Sequence, residues 1–438
     1  MRPLVLAAAS LLLPASLLPA QQPAQPSVHV FRGATILPIV GAPIENGVLV
    51  VRGTTIVRVG PAGTAVPAGA TVHDVAGKVI MPGLVDTHSH IGGGSGADRS
   101  SPIQGGVRVL DAIDVRSDNI QRAQAGGVTV ANVMPGSGHL MSGQTAYIKL
   151  RDGRTLADLL VCRDVLTEVC GGMKMANGTN PRGQPPFPGT RAKSVALARD
   201  KYVKAREYQA RVNAAAGDST KLPTRDLEME ALGEVLAGKR VVHFHTHRHD
   251  DILSAIRLRD EFGFRLVLQH VSEAWKVADL IGKANVPASI IVIDAPGGKE
   301  EAIDVSITNG AALEKAGVLT GFHTDDGVTD SRFFLRSAGL GVRAGMSRDK
   351  ALYAMTMAGA RMLDLDKRVG SLEAGKDADF LVLSGDPLSV YTHVEQTWVD
   401  GAKVFDRKDP KDRRFAVGGE GAATDQTLHV HEGMEDHE

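Results

Sequence analysis

A chain of 438 residues can bury a large core and divide into more than one domain. Its 49 basic residues balance 50 acidic ones, which excludes a broad electrostatic surface for nucleic acid. Aromatic residues make up 4% of the chain, too few for base-stacking platforms.

The first twenty residues, MRPLVLAAASLLLPASLLPA, combine a basic start, a short apolar stretch broken by Pro14, and small residues ahead of QQPAQPS. This pattern predicts a signal peptide cleaved near Ala20, hence a periplasmic or secreted protein with no stable membrane anchor after cleavage. Residues 28–80 then alternate like strands, in VHVFRGATILP, GVLVVRGTTIVRVG and TVHDVAGKVI, separated by Gly and Pro clusters. The same texture returns in residues 366–410, with VGSLEAGKDADFLVLSG and VEQTWVDGAKVF. Neither end alone makes a comfortable core, so the two are expected to build one small composite β-sandwich domain.

Residues 81–365 read differently. Strand-length apolar runs at 79–90, 128–134, 145–150, 171–176, 241–247, 265–271, 287–293 and 318–325 alternate with helical segments. The helical segments include 106–125, 249–262, 274–284, 308–316, 332–345 and 348–361. Eight strands with intervening helices predict the α/β class and a (β/α)8 TIM barrel. KSVALARDKYVKAREYQARVNAAA, after the loop NPRGQPPFPGT, is expected as an insertion helix following the fourth strand, on the face that shapes a substrate pocket. Cys162 and Cys170 are expected as two small buried residues, although export permits a disulfide. The polar tail, residues 411–438, is expected to be disordered.

The stretch LVDTHSHIGGG sets His88 and His90 two apart at the end of an apolar run. On an extended strand such residues share a face, and the glycines after them let the chain turn away. Two converging neutral imidazoles suit a divalent transition metal; spacing alone equally allows two ordinary polar residues. In a barrel, side chains at the C-terminal ends of different strands meet at one site. The fifth strand carries His243, His245 and His247 in VVHFHTHRHDD, the sixth ends at His270 in RLVLQHVSE, and the eighth ends at Asp325 in VLTGFHTDDGVTD. Histidines and an acid at four strand ends point to a metal centre.

This constellation, with PGLVDTHSH before it and GSLEAGKDADFLVL and DGAKVF after it, resembles the amidohydrolase superfamily. It is most like the branch of imidazolonepropionase and prolidase-like amidohydrolases. The resemblance covers about residues 28 to 407. It implies His88, His90, His245, His270 and Asp325 as metal ligands; a register shift of two would make His247 the strand-five ligand. In binuclear members a carboxylated lysine bridges two metals, a role that falls on Lys174 in GGMKMANG, with Lys149 as the fallback.

The implied cofactor is Zn2+, one or two per chain. The implied reaction is hydrolysis of an amide C–N bond in a dipeptide, N-acyl amino acid or cyclic amide. Asp325 is expected to move the proton and His247 to polarise the substrate carbonyl. Arg248 or Arg332 could hold a substrate carboxylate, or serve as surface ion-pair partners. A mononuclear imidazolonepropionase-like or deaminase-type ring hydrolase is the alternative. The expected partner is a small amide or peptide; assembly into an oligomer is compatible with this reading.

Overall fold

A computed structural model describes residues 26–94, 96–292 and 300–418. The expected leader and the last part of the tail lie outside these residues.

The two ends of the chain meet in one eight-stranded sheet. Its order is Ala402–Asp406, Val394–Val399, Phe380–Leu383, Val79–Pro82, Val28–Ile36, Ile44–Arg52 and Thr55–Gly60, with Thr71–Asp74 also paired to Val28–Ile36. The sequence reading expected a sandwich; the hydrogen bonds instead join all eight strands into a single sheet. The join is made by Val79–Pro82, parallel to Val28–Ile36 on one side and antiparallel to Phe380–Leu383 on the other. Phe31, Phe380 and Trp398 pack as an aromatic cluster, with ring centroids 4.9 to 5.6 Å apart. Residues from both ends of the chain thus share one core.

The central segment supplies two more sheets. Five parallel strands run in the order Thr320–Phe322, Ala288–Ile290, Leu266–His270, Val242–Thr246 and Met173–Ala176. Leu84–Ser89 and Val128–Val133 form a second parallel pair. These strands are buried along their whole length, so the polar side chains they carry, among them Asp86, His88, His245 and His270, are enclosed within the fold rather than turned to solvent.

The third expected strand departs from the pattern. Met141–Gln144 pairs antiparallel to Met173–Ala176, and Ala146–Lys149 pairs antiparallel to Val128–Val133, so one run on either side of Thr145 bridges the two sheets. A parallel crossover needs a dozen or more residues. The loop between Val133 and Met141 is too short for one, so the chain turns back. Eight strand positions therefore stand in the expected chain order, seven parallel and the third reversed. Among the described residues no strand ladder joins Thr320–Phe322 to Leu84–Ser89; the backbone N–H of Asp325 donates to the carbonyl of His88 at 2.9 Å instead.

Other expectations shift locally. The expected helix 106–125 shortens to Asp118–Ala125, because the chain at Gly105 and Gly106 runs against Glu228 rather than coiling. The insertion helix spans Arg191–Ala214, with the Thr190 side chain accepting from Lys193 N, and buries Ala198, Tyr202 and Ala205 along one stripe. Tyr202 stacks on Phe264 at 5.1 Å. Cys162 and Cys170 are not two separate small residues but a disulfide. The start of the tail is ordered: Pro410–Val417 forms a helix capped by Asp409, with Phe415 buried. A proline at the first helical turn and an Asp cap are strong start signals that its polar composition masked. Among the described residues, no helix is long and apolar enough to cross a membrane.

Candidate metal centre

The imidazoles gather where the central strands end. His88 lies within Leu84–Ser89 and His90 one residue beyond it. Gly92, at φ 81°, makes the turn away; a Cβ there would sit 2.8 Å from Ile113 Cγ2, so the tight turn is reserved for glycine. His90 Nε2 lies 2.8 Å and His88 Nε2 3.3 Å from Asp325 Oδ1, and His270 Nε2 lies 3.8 Å from Asp325 Oδ2. The Nδ1 of His90 faces the carbonyl of Met134 at 2.8 Å. A carbonyl only accepts, so Nδ1 carries the proton and Nε2 turns its lone pair to the site.

His270 and Asp325 both take left-handed backbone conformations, at φ 70° and 49°. Non-glycine residues rarely do so, and the strain concentrates where two strand ends aim donors at one point. Lys174 is fully buried, with Nζ 2.9 Å from His88 Nε2. His245 completes the group, its ring centroid 4.3 Å from that of His270. All six residues expected to hold metal are therefore brought together. Lys149 is elsewhere: it is tied to Asp377, Asp379 and Asp400, between the central strands and the end sheet.

Burial dominates the electrostatics. It lowers the His88 pKa well below the usual histidine range, and the neighbouring Lys174 lowers it further. A neutral imidazole with an available lone pair results. Burial alone would raise the Asp325 carboxyl, but His88, His90 and Lys174 outweigh it and hold Asp325 well below the usual carboxylate range. Beneath it, burial pushes Asp86 up to about 7, although Thr324 Oγ1 donates to it at 2.5 Å.

Two site residues escaped the sequence reading. His323 lies behind the ligands, with Nε2 3.3 Å from His270 Nδ1 and Nδ1 2.9 Å from Ser289 Oγ, which in turn lies 2.6 Å from Thr87 Oγ1. Its signal was present two residues before Asp325, on the same strand face. Glu301 is buried and reaches His245 and His247 from the single 3-10 turn Glu300–Ala302, too short to show a periodicity. His243 lies deeper, between Tyr147 and Gln269. Arg248 makes two bonds to Asp250, at 3.0 and 2.8 Å, and Arg332 is held by Asp330. A cavity of about 330 Å3 beside the disulfide is lined by Tyr147, Cys170 and Arg368. It sits at the opposite ends of the strands and takes no part in the centre.

One ligand atom each from His88, His90 and Asp325 lies within 4.8 Å of the others, as do three from His88, His270 and His323. Neutral imidazoles plus one ionised carboxylate, with His90 and His270 braced at Nδ1, fit a divalent first-row cation. Gathered at the strand ends of an α/β fold, such donors make a candidate centre for metal-dependent hydrolysis.

Comparison with known proteins narrows the class. The Amidohydrolase family model matches residues 79–405, and the chain belongs to that family, whose members hydrolyse carbon–nitrogen bonds. An amidohydrolase of Thermotoga maritima MSB8 has a crystal structure that superposes with a TM-score of 0.81 at 33% identity, covering 86% of this chain and 100% of that one. An imidazolonepropionase of Sphingopyxis alaskensis is 24% identical over 371 residues, 78% of this chain and 88% of that protein. The amidohydrolase tasK of Hapsidospora irregularis is 29% identical over 373 residues, a match that spans 78% of this chain but only 38% of that protein.

Proposed function

We propose that this enzyme hydrolyses the amide C–N bond of a dipeptide, an N-acyl amino acid or a cyclic amide, in the periplasm or outside the cell, at the mouth of a closed (β/α)8 barrel. The observation that carries the reading is the convergence of His88, His90 and His270 on Asp325 within 3.8 Å. A cysteine pair joined as a disulfide supports an oxidising location.

His88, His90, His245, His270 and Asp325 would hold zinc, and Lys174 would bridge two ions once its amine carries a carboxylate, because a free ammonium has no lone pair. Bound zinc polarises the amide carbonyl and lowers the pKa of water from about 15.7 toward roughly 7. Asp325, ionised and flanked by two imidazoles, accepts the proton of the attacking water as the C–O bond forms, and returns it to the nitrogen as the C–N bond breaks. Burial of His88, Lys174 and His270 keeps bulk water from competing for these charges.

The second reading, a mononuclear imidazolonepropionase-like or deaminase-type ring hydrolase, is favoured by the Sphingopyxis relative. Metal analysis and mass spectrometry of the full chain separate the two. About two zinc equivalents with a carboxylated Lys174 are expected for the amide hydrolase. One equivalent with an unmodified Lys174 supports the ring hydrolase. Turnover of Xaa-Pro dipeptides or N-acyl amino acids, against imidazolones and aminopurines, reads the substrate class directly.

A further inference from the structure

His247 stands in a grouping with His245 and a carboxylate that the ligand set of the amide-hydrolysis reading does not include. They stand two apart at the end of Val242–Thr246, so their rings leave the strand on one side, with centroids 4.6 Å apart. Each has its Nδ1 on a serine hydroxyl from a different loop: Ser137 Oγ at 2.9 Å from His245, and Ser272 Oγ at 2.7 Å from His247. A ring tethered at Nδ1 presents Nε2 on its far edge, the arrangement metal-ligating histidines adopt.

Glu301 reaches the same place. It is 2% exposed, and one ligand atom from each of Glu301, His245 and His247 lies within 4.8 Å of the other two. The carboxylate is positioned from behind: the backbone N–H of Thr179 donates to Oε2 at 2.5 Å, and Arg191 Nη2 lies 3.8 Å from it. Gly178 makes room, since a Cβ there would fall 2.3 Å from Oε2 at a φ of +77°. Two imidazoles and a carboxylate, buried and individually braced, are a donor set that zinc and other first-row ions use at open sites.

We propose that His245, His247 and Glu301 form a divalent-cation position of their own, beside the His88–His90–Asp325 group. This deepens the metal-dependent reading and rests on it: with Nδ1 held by Ser137, His245 has one lone pair to give, and it goes to this ion, leaving His88, His90, His270 and Asp325 to the other. It gives His247 a ligand role in place of the carbonyl-polarising role expected from the sequence.

The test uses the full chain saturated with Zn2+ and dialysed, with metal counted by plasma mass spectrometry. Glu301→Gln, which keeps the length but not the charge, and His247→Asn, which removes Nε2 while keeping a polar atom for Ser272, are each expected to lose one equivalent. His90→Asn is expected to lose a different one, so that combining it with Glu301→Gln removes two. Wild-type stoichiometry in either folded variant overturns the proposal. If those variants retain all metal while His90→Asn loses an equivalent, the proposal fails and the hydrolase reading stands; a wild-type chain that binds no metal sinks both. A measurement without variants guards against misfolding: on addition of Zn2+, the His247 Nε2 resonance in long-range 1H–15N spectra should shift, and an unmoved resonance overturns the proposal.

Discussion

At the scale of single residues, His90, His245 and His270 each have their second ring nitrogen already committed, to Met134, Ser137 and His323. Asp325 sits in a left-handed conformation with its N–H on the His88 carbonyl, so its carboxylate cannot drift without breaking a strand-end contact. Asp325→Asn keeps the shape but cannot accept the proton of the attacking water. Turnover is expected to fall below detection while most bound metal remains, as steady-state assay and metal analysis would report; wild-type rates in the variant would exclude Asp325 as the base. His323 is a positioning residue. Burial holds its pKa down to about 3, so it stays neutral and can accept from His270 Nδ1 while donating to Ser289. His323→Leu removes that acceptor and is expected to weaken metal binding about 10–100-fold. Competition against a chromophoric chelator measures it, and His323→Asn should recover part of the loss.

At the scale of elements, the helix His249–Phe262 begins directly after the strand-five histidines, and its start fixes their approach. Glu273 anchors it, accepting from His249 N at 3.0 Å and bonding His249 Nδ1 at 2.6 Å, with Lys276 Nζ 3.0 Å away. Burial opposes ionisation of Glu273, but the bonds from His249 and Lys276 prevail and bring its carboxyl down to about 2, from an ordinary 4.5. A carboxyl depressed in the fold stabilises above its unfolded pKa and loses that contribution as pH falls through the folded one. The wild type should therefore lose more stability than Glu273→Gln between pH 4.5 and about 2, read as the difference between their acid-unfolding curves by circular dichroism. Equal curves would remove Glu273 from the account.

The elements also show what a sequence can and cannot reveal. His88, His90, His270 and Asp325 were legible because each closes an apolar run, and a barrel brings such ends together. The reversed strand at Met141–Lys149 was not, because an apolar run carries no direction, and only the short loop before it hinted at a turn. Gly143, at φ 120° with a Cβ position 2.6 Å from Val107 O, bends that run at a point where periodicity predicts a straight strand. Glu301 was invisible because a carboxylate in a single 3-10 turn has no pattern; it acquires meaning only beside Gly178 and Thr179.

At the scale of the molecule, one buried cation ties the two halves together. Lys149, 1% exposed, extends from the reversed strand to Asp377 and Asp379, each at 2.9 Å, and to Asp400, all from the C-terminal part of the chain. Burial raises Asp379 to about 6 even with the lysine in place. Lys149→Met would leave the acids clustered without their counter-charge, at an expected cost of about 3–5 kcal/mol. Denaturant titration of the two proteins measures it, and an unchanged midpoint would show the cluster to be idle.

The strand Val79–Pro82 has its two neighbours at opposite extremes of the chain. During synthesis its antiparallel edge must wait, unpaired, until some three hundred further residues have left the ribosome. A shortened product ending before Phe380 would expose that edge permanently, offering it to any extended segment nearby, including the same strand of another unfinished copy.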